Sequence, residues 1–276
     1  MCRLIKAKII IIIVFLVCFS INFYSYGLEL DFGSVTAKEE ISLEKILLLD
    51  LKNDILEIWF EKELKNEKGE LIPFKRFNFI TENNKLSFVN EKVVIRCEHL
   101  LKNEKNSILH IKVGIYPTDN PGLYETKIYF KEGSETKVIP VKIKINPWVS
   151  IKNIGEPEIK YLAYRDNNLY SSGTNILEIS SNTNWILYMR KEDGIPNLKV
   201  MFDISSESIN YLQLVSHDYL KINNKSKVIM QGKKTTSYNK EYLKIPYKLI
   251  IDNYKEIPAG SFKTSVDIDL KVDNNL

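Results

Sequence analysis

The sequence predicts an all-β protein in which an N-terminal signal peptide precedes two tandem immunoglobulin-like β-sandwich domains. Three observations lead to this expectation. Hydrophobic residues recur with a period of two in many segments, clusters of Asn, Asp, Gly and Pro separate these segments, and one nine-residue pattern occurs twice. The 276 residues are 44% hydrophobic and 27% charged, which is the composition of a globular protein with room for two domains.

Residues 1–27 have the organisation of a signal peptide. Three basic residues precede the apolar stretch Ile9–Phe19, and Ser25 and Gly27 put small residues at positions −3 and −1 of a cleavage site. The alternative is an uncleaved anchor, but the apolar stretch is shorter than the roughly 20 residues of a spanning helix. We therefore expect export to the periplasm, cell surface or medium, with no stable transmembrane segment after cleavage.

Charge and cysteine content narrow the possible partners. The net charge of +4 includes Arg3, Lys6 and Lys8 of the leader, and without them 36 basic residues face 35 acidic ones. A nearly neutral chain has no concentrated positive field, so we expect no nucleic-acid partner. After removal of residues 1–27, Cys97 is the only cysteine. The stability of the remaining chain must therefore come from apolar cores rather than from an internal disulfide.

The strand predictions rest on alternating apolar residues. The clearest segments are Ile111–Ile115, Val141–Ile145 and Val266–Val272, in which every second residue is aliphatic. Leu243–Ile251 alternates too, and its Pro246 predicts an edge strand. Leu43–Leu56 is compatible with a helix, but its two apolar runs favour buried strands.

An internal repeat sets the domain prediction. Gly122–Phe130 and Gly260–Ile268 share the pattern Gly-x-aromatic-x-Thr-x-aliphatic-x-apolar, and a weaker similarity relates Asp54–Lys62 to Asn184–Glu192. Two copies so far apart indicate two homologous domains. We place the first at residues 28–147 and the second at 148–276, each about the size of an immunoglobulin-like sandwich.

Two short phrases resemble known exported proteins. Leu28–Val35 is similar to the opening strand of exported bacterial immunoglobulin-like domains, in which a Leu-x-Phe-Gly-x-Val phrase recurs. Pro258–Val266 resembles the Pro-Ala-Gly-x-Tyr-x-Asp-x-Val strand of spore-coat-U-type and pilin-like subunits. The resemblance implies a secreted β-sandwich that assembles through strand exchange.

The sequence offers no recognisable catalytic machinery. His99, His110 and His217 are not spaced with Cys, Asp or Glu as metal ligands, and no phosphate loop, zinc motif or dinucleotide fingerprint occurs. Asp267 and Asp269 share a strand face, and we interpret them as a solvated surface because a cation site needs more converging oxygens. We predict no enzyme activity, no metal and no cofactor.

These observations favour a non-enzymatic secreted or cell-envelope protein with a structural or adhesive role. Its expected partners are other envelope or surface proteins, bound through sheet edges. Two alternatives stay open: a periplasmic chaperone for surface subunits, and a carbohydrate-binding module. In the second case the candidate ligand-binding residues for glycans are Tyr161, Tyr164 and Tyr170.

Overall fold

A computed structural model gives the fold of the chain. It describes residues 29–82, 85–88, 91–103, 106–155, 162–165, 168–171, 175–192, 197–204, 212–214, 220–235, 242–253, 255 and 265–273. The predicted signal peptide lies outside these residues and stays a prediction.

Contacts divide the chain into two compact units. Unit 1 contains Ile41–Ile115, Leu123–Lys144 and the residues up to Val35. Unit 2 contains the residues from Ile145 onward, and it also includes the short segments 36–40 and 116–122. The predicted domain boundaries themselves stay a prediction.

Unit 1 is built from twelve strands and two short 3-10 helices in its described part. The strands are β1 (Leu30–Val35), β2 (Ile41–Leu49), β3 (Ile55–Phe60), β4 (Leu64–Lys65), β5 (Leu71–Ile72), β6 (Phe77–Ile80), β7 (Lys85–Ser87), β8 (Lys92–Arg96), β9 (Leu101–Asn103), β10 (Asn106–Ile115), β11 (Gly122–Glu132) and β12 (Glu135–Ile145). The 3-10 helices are Phe74–Arg76 and Cys97–His99.

The strands of unit 1 form two sheets that enclose one core. One sheet has the order β1-β12-β11-β3-β8, and the other has the order β2-β10-β6-β7. The orders β12-β11-β3 and β2-β10-β6 are those of strands G-F-C and B-E-D in an immunoglobulin fold. Phe60 of the first sheet packs against Phe77 of the second, with ring centroids 4.7 Å apart.

Unit 2 contains the remaining described strands. They are β13 (Val149–Ile154), β14 (Leu162–Arg165), β15 (Asn168–Ser171), β16 (Asn175–Ser181), β17 (Trp185–Lys191), β18 (Leu198–Phe202), β19 (Leu212–Leu214), β20 (Leu220–Lys221), β21 (Lys227–Gly232), β22 (Leu243–Ile251) and β23 (Val266–Val272). One sheet has the order β13-β16-β22-β15-β14, with β18 also paired to β22, and the other has the order β19-β21-β17-β23.

Both sheets of unit 2 contribute to a single core. Leu177 and Ile179 of β16 pack in one buried cluster with Trp185 and Leu187 of β17. Strands β16, β22 and β18 again follow the order B-E-D, while β17 and β23 take the places of C and F. The all-β sandwich predicted from the sequence is therefore confirmed.

The segment 43–56 is a strand region, as predicted. Its second apolar run enters β3, where Leu56 is 1% exposed, but its first run, in β2, is not buried as predicted. Apolar residues of β2 face both sides of the strand, and none of its residues is fully buried. The sequence predicted a buried strand because an apolar run does not show which neighbours will cover it. The reason for the exposure is position, because β2 lies at the end of its sheet.

The edge position predicted from Pro246 is wrong. Strand β22 is internal and pairs with β16, β15 and β18. The carbonyl of Pro246 accepts a hydrogen bond from Asp203 N, on the side where β18 has already ended at Phe202. Proline has no backbone N–H, and the N–H of any other residue at position 246 would point to the same side as this carbonyl. Because β18 has ended there, no hydrogen bond between β18 and β22 is lost.

Candidate functional site

The repeated pattern encodes the inward face of one strand. In β11 the buried residues are Tyr124, Thr126, Ile128 and Phe130, which are the aromatic, Thr, aliphatic and apolar positions of the repeat. Thr126 Oγ1 donates a hydrogen bond of 2.7 Å to the carbonyl of Lys62, which satisfies the one polar group on this face. The pattern is therefore a packing requirement of strand F.

The second copy of the pattern leads into β23, which holds the equivalent position. Phe130 of β11 lies opposite Ile58 of β3, and Ile268 of β23 lies opposite Met189 of β17. The weaker similarity aligned Ile58 with Tyr188, which is one residue away from this structural equivalence. A shift of one residue exchanges the two faces of a strand, so the pairing corrects that alignment.

The two equivalent strands differ in what covers their second edge. Strand β11 pairs with β3 on one side and with β12 on the other. Strand β23 ends its sheet and, within the described part of the chain, pairs with β17 alone. The unpaired side of β23 is the place of strand G, which β12 fills in unit 1.

The core of unit 2 is incompletely covered along this edge. Val266, Ile268 and Leu270 pack against the buried cluster but stay half-exposed. Val266 and Ile268 correspond to Ile128 and Phe130 of the covered sheet, which are 0% and 4% exposed. We call β23 with its unpaired side the open edge.

Strand β13 borders the open edge from the other sheet of unit 2. It lies beside β23, and its Val149 and Ile151 are half-exposed while packing against the same cluster. Sequence reasoning did not include these two residues in a site. The available signal was the alternation of Val149 and Ile151 directly after Trp148.

The outward face of β23 carries charged side chains, and its two acids each form an ion pair with a nearby basic side chain. Arg190 Nε lies 2.7 Å from Asp267 Oδ2, and Lys271 Nζ lies 3.3 Å from Asp269 Oδ2. Lys271 also lies 5.1 Å from the ring centroid of Tyr188, within the range of a cation–π contact. Across the described part of the chain, no group of three His, Cys, Asp or Glu residues could hold a metal ion.

The candidate glycan-binding tyrosines are only partly within the described residues. Tyr161 lies outside them. Tyr164 lies on β14 opposite Leu169, and Tyr170 lies on β15 opposite Ala163, so the pairing does not put the two tyrosines opposite each other. Their ligand binding stays a prediction.

The histidines and the cysteine have ordinary surroundings where they are described. His110 Nδ1 lies 2.6 Å from Glu44 Oε1, and this hydrogen bond is the main cause of the lowered pKa of Glu44. His99 and the half-exposed Cys97 lie on a 3-10 helix after β8. His217 lies outside the described residues.

Comparison with known proteins gives weak similarities. No family model and no curated protein matches the chain. Similar solved structures include the CsuC–CsuE chaperone–tip adhesion subunit complex of Csu pili from Acinetobacter baumannii, at 12% identity and a TM-score of 0.41, covering 90% of this chain and 99% of that one.

Two further matches are weaker. One is a chaperone–tip adhesin complex of CFA/I fimbriae, at 10% identity and a TM-score of 0.29, covering 88% and 78% of the two chains. The other is the C-terminal domain of the antigen I/II-family protein AspA from Streptococcus pyogenes, at 10% identity and a TM-score of 0.26, covering 88% and 91%. TM-scores this low establish neither shared fold nor function, so the fold assignment rests on this chain's own strand pairing. No helix in the described ranges is long and apolar enough to cross a membrane.

Proposed function

We propose that this chain is a non-enzymatic exported protein with a structural or adhesive role, and that it binds an extended strand of a partner protein along the open edge. One observation carries the proposal. Among the described strands, none pairs with the second edge of β23, and its inward residues are half-exposed, whereas the equivalent strand β11 is covered by β12.

The energetics of such an edge favour strand addition. An unpaired edge presents main-chain N–H and C=O groups that another strand can satisfy, and alternate side chains of that strand then enter the apolar core. Completing the burial of Val266, Ile268 and Leu270 contributes roughly 1 kcal/mol for each side chain. The outward charges limit edge-to-edge aggregation while the site is empty.

The strand that fills the same place in unit 1 indicates the chemistry of the partner. In β12 the inward residues Val141, Ile143 and Ile145 are buried, and lysines lie between them. Lys142 Nζ lies 3.8 Å from Glu125 of β11, so a lysine on this strand meets an acid on the neighbouring one. A partner strand in the same place of unit 2 would present aliphatic residues inward at alternating positions, and a basic residue on its outward face would add a favourable charge pair with the acids of β23.

The test uses a peptide with the sequence of residues 137–145 of this chain. Its control has the same composition with the apolar residues placed consecutively, which removes the alternation. Hydrogen exchange is followed at each strand of the full protein while peptide is added. We expect new protection at β23 with the alternating peptide only. Equal protection with both peptides, or unchanged exchange at β23, contradicts the proposal.

A variant checks which face of β23 is used. Ile268→Lys introduces a charge on the inward face, and Asp269→Asn is the matched change on the outward face. We expect the first to abolish peptide protection and the second to retain it. Circular dichroism of both variants confirms that the comparison is made on folded protein.

A further inference from the structure

Strand β2 of unit 1 is an exposed apolar strand with an unpaired edge. Six of its nine residues are aliphatic, yet none is fully buried. Ile46 and Leu48 face outward and are 56% and 39% exposed. The strand ends its sheet and, among the described strands, pairs only with β10, over nine residues. A long apolar edge of this kind is a template for another strand.

The inward face of β2 resembles that of β23. Leu43, Leu47 and Leu49 lie on the side of the buried residues of β10, and they stay half-exposed. Within the described part of the chain, β2 and β23 thus both end a sheet, one in each unit, and both present half-exposed aliphatic residues on the core side. Resting on the proposed function of β23, we propose that its partner strand is β2 of a second copy of this chain.

Side-chain faces limit how the two strands can pair. The core-facing residues of β2 have odd numbers and those of β23 have even numbers. Residues directly opposite each other point to the same face of a sheet. The core-facing side chains of both strands therefore share one face only if odd residues of β2 lie opposite even residues of β23. In the antiparallel register that places Leu49 opposite Val266, Leu47 meets Ile268 and Leu43 meets Val272. Three of the four core-side pairs are then aliphatic, and the fourth sets the exposed Lys45 opposite Leu270.

Charge selects this register over its neighbours. On the outward face it places Glu44 opposite Lys271, a pair of opposite charges. A shift of two residues in one direction places Glu44 opposite Asp269, and the shift in the other direction places it opposite Asp273. Like charges directly opposite each other destabilise a strand pair. Because the two edges are different surfaces, the contact is heterologous, and repetition joins copies head to tail.

The same register gives a charge-reversal test. It places Ile46 opposite Asp269 and Leu48 opposite Asp267. The double substitution Ile46→Glu and Leu48→Glu changes exposed outward residues and sets acid against acid across the interface. Sedimentation velocity of the purified protein over a wide concentration range measures association. We expect the double variant to associate about tenfold more weakly than the wild type.

Rescue distinguishes the proposed pairing from a general surface effect. Adding Asp267→Lys and Asp269→Lys to the double variant restores opposite charges across the contact, so we expect association to return to at least the wild-type level. Mixing the β2 double variant with the β23 double variant allows two contacts, the wild-type one and the Glu–Lys one, so we expect chains in which the two variants alternate.

Three results would overturn this inference. A wild-type protein that stays monomeric at all concentrations excludes a second copy as the partner. A dimer insensitive to Asp267→Lys and Asp269→Lys indicates pairing of β2 with itself. Weakened association without rescue excludes this register. If the chain is monomeric but the alternating peptide still protects β23, strand binding at the open edge survives and only the identity of the partner fails.

Discussion

The side chain of Asn182 accepts a hydrogen bond from the backbone N–H of Trp148, with 2.8 Å between Oδ1 and N. Its amide group donates to the carbonyls of Asp119 and Asn146, at 3.2 Å each. Asn182 is 1% exposed, so this one buried side chain binds three backbone groups of unit 2, one in segment 116–122 and two just after Ile145.

Replacing Asn182 should therefore destabilise unit 2 strongly. Asn182→Ala leaves buried backbone groups of Trp148, Asp119 and Asn146 without this partner, and we expect a loss of about 2–4 kcal/mol in the free energy of unfolding. Urea denaturation followed by circular dichroism measures it. The control is Asn223→Ala, because Asn223 is exposed and its side chain accepts one local hydrogen bond, from Lys225 N. Equal losses for the two variants would refute the prediction.

Gly232 should be required for the packing of Trp185. A Cβ atom at position 232 would lie 2.2 Å from Cζ2 of the Trp185 ring, which is 0% exposed. We expect Gly232→Ala to cost about 1–3 kcal/mol by overpacking. A thermal-unfolding cycle with Trp185→Phe tests the cause, because the smaller ring makes room for the methyl group. Strictly additive losses in the double variant would exclude this contact as the cause.

The Thr of the repeat should contribute through its hydroxyl group. Thr126→Val keeps the shape of the side chain but removes the hydrogen bond to the carbonyl of Lys62. We expect a loss of about 1 kcal/mol in chemical denaturation. Thr136→Val on the exposed surface of β12 is the matched control, with an expected change close to zero. A neutral Thr126→Val would show that the repeat is selected for another reason.

Stability should depend on the ionisation of Glu132. Burial acts to raise the pKa of this carboxyl group, but hydrogen bonds from the backbone of Asn53 and Lys52 outweigh it and hold the pKa below its ordinary value. The carboxylate then favours the folded state above its unfolded-state pKa, and this contribution disappears as the pH falls through the lowered folded-state value.

The measurement compares wild type with Glu132→Gln by urea denaturation across acidic pH. Because the group is near the surface, we expect a difference below about 1 kcal/mol at neutral pH, converging toward zero in acid. A matched Glu135→Gln change on the exposed start of β12 should show no such convergence. A stability difference between wild type and Glu132→Gln that grows as the pH falls would contradict the prediction.

Much of the fold was predictable because strand formation leaves a local trace. The alternation in 111–115, 141–145 and 266–272 predicted β10, β12 and β23, and the repeat related β11 to β23 before any pairing was known. Strand neighbours leave no such trace. For example, β1 pairs with β12, although their residues are about a hundred positions apart in the sequence. The alternating pattern within each strand is compatible with several different neighbouring strands, so it does not predict which one pairs.

The candidate site was less predictable than the fold. The sequence suggested edge contacts in general and named tyrosines of unit 2, but it could not show which strand lacks a neighbour. The exposure of Ile46 and the half-burial of Ile268 are properties of position within a sheet. Both residues are aliphatic members of ordinary strand patterns, so composition alone predicts that they are buried.

The burial of Trp185 also makes this protein its own optical reporter. Trp185 lies directly opposite Val272 at one end of β23, whereas Trp59 is half-exposed on the outer surface of unit 1 and stacks on Tyr129. The emission of an indole depends on its contact with water. A change at the open edge should therefore alter the emission of Trp185. A Trp59→Phe, Trp148→Phe variant leaves Trp185 as the only tryptophan, so the change can be assigned to it.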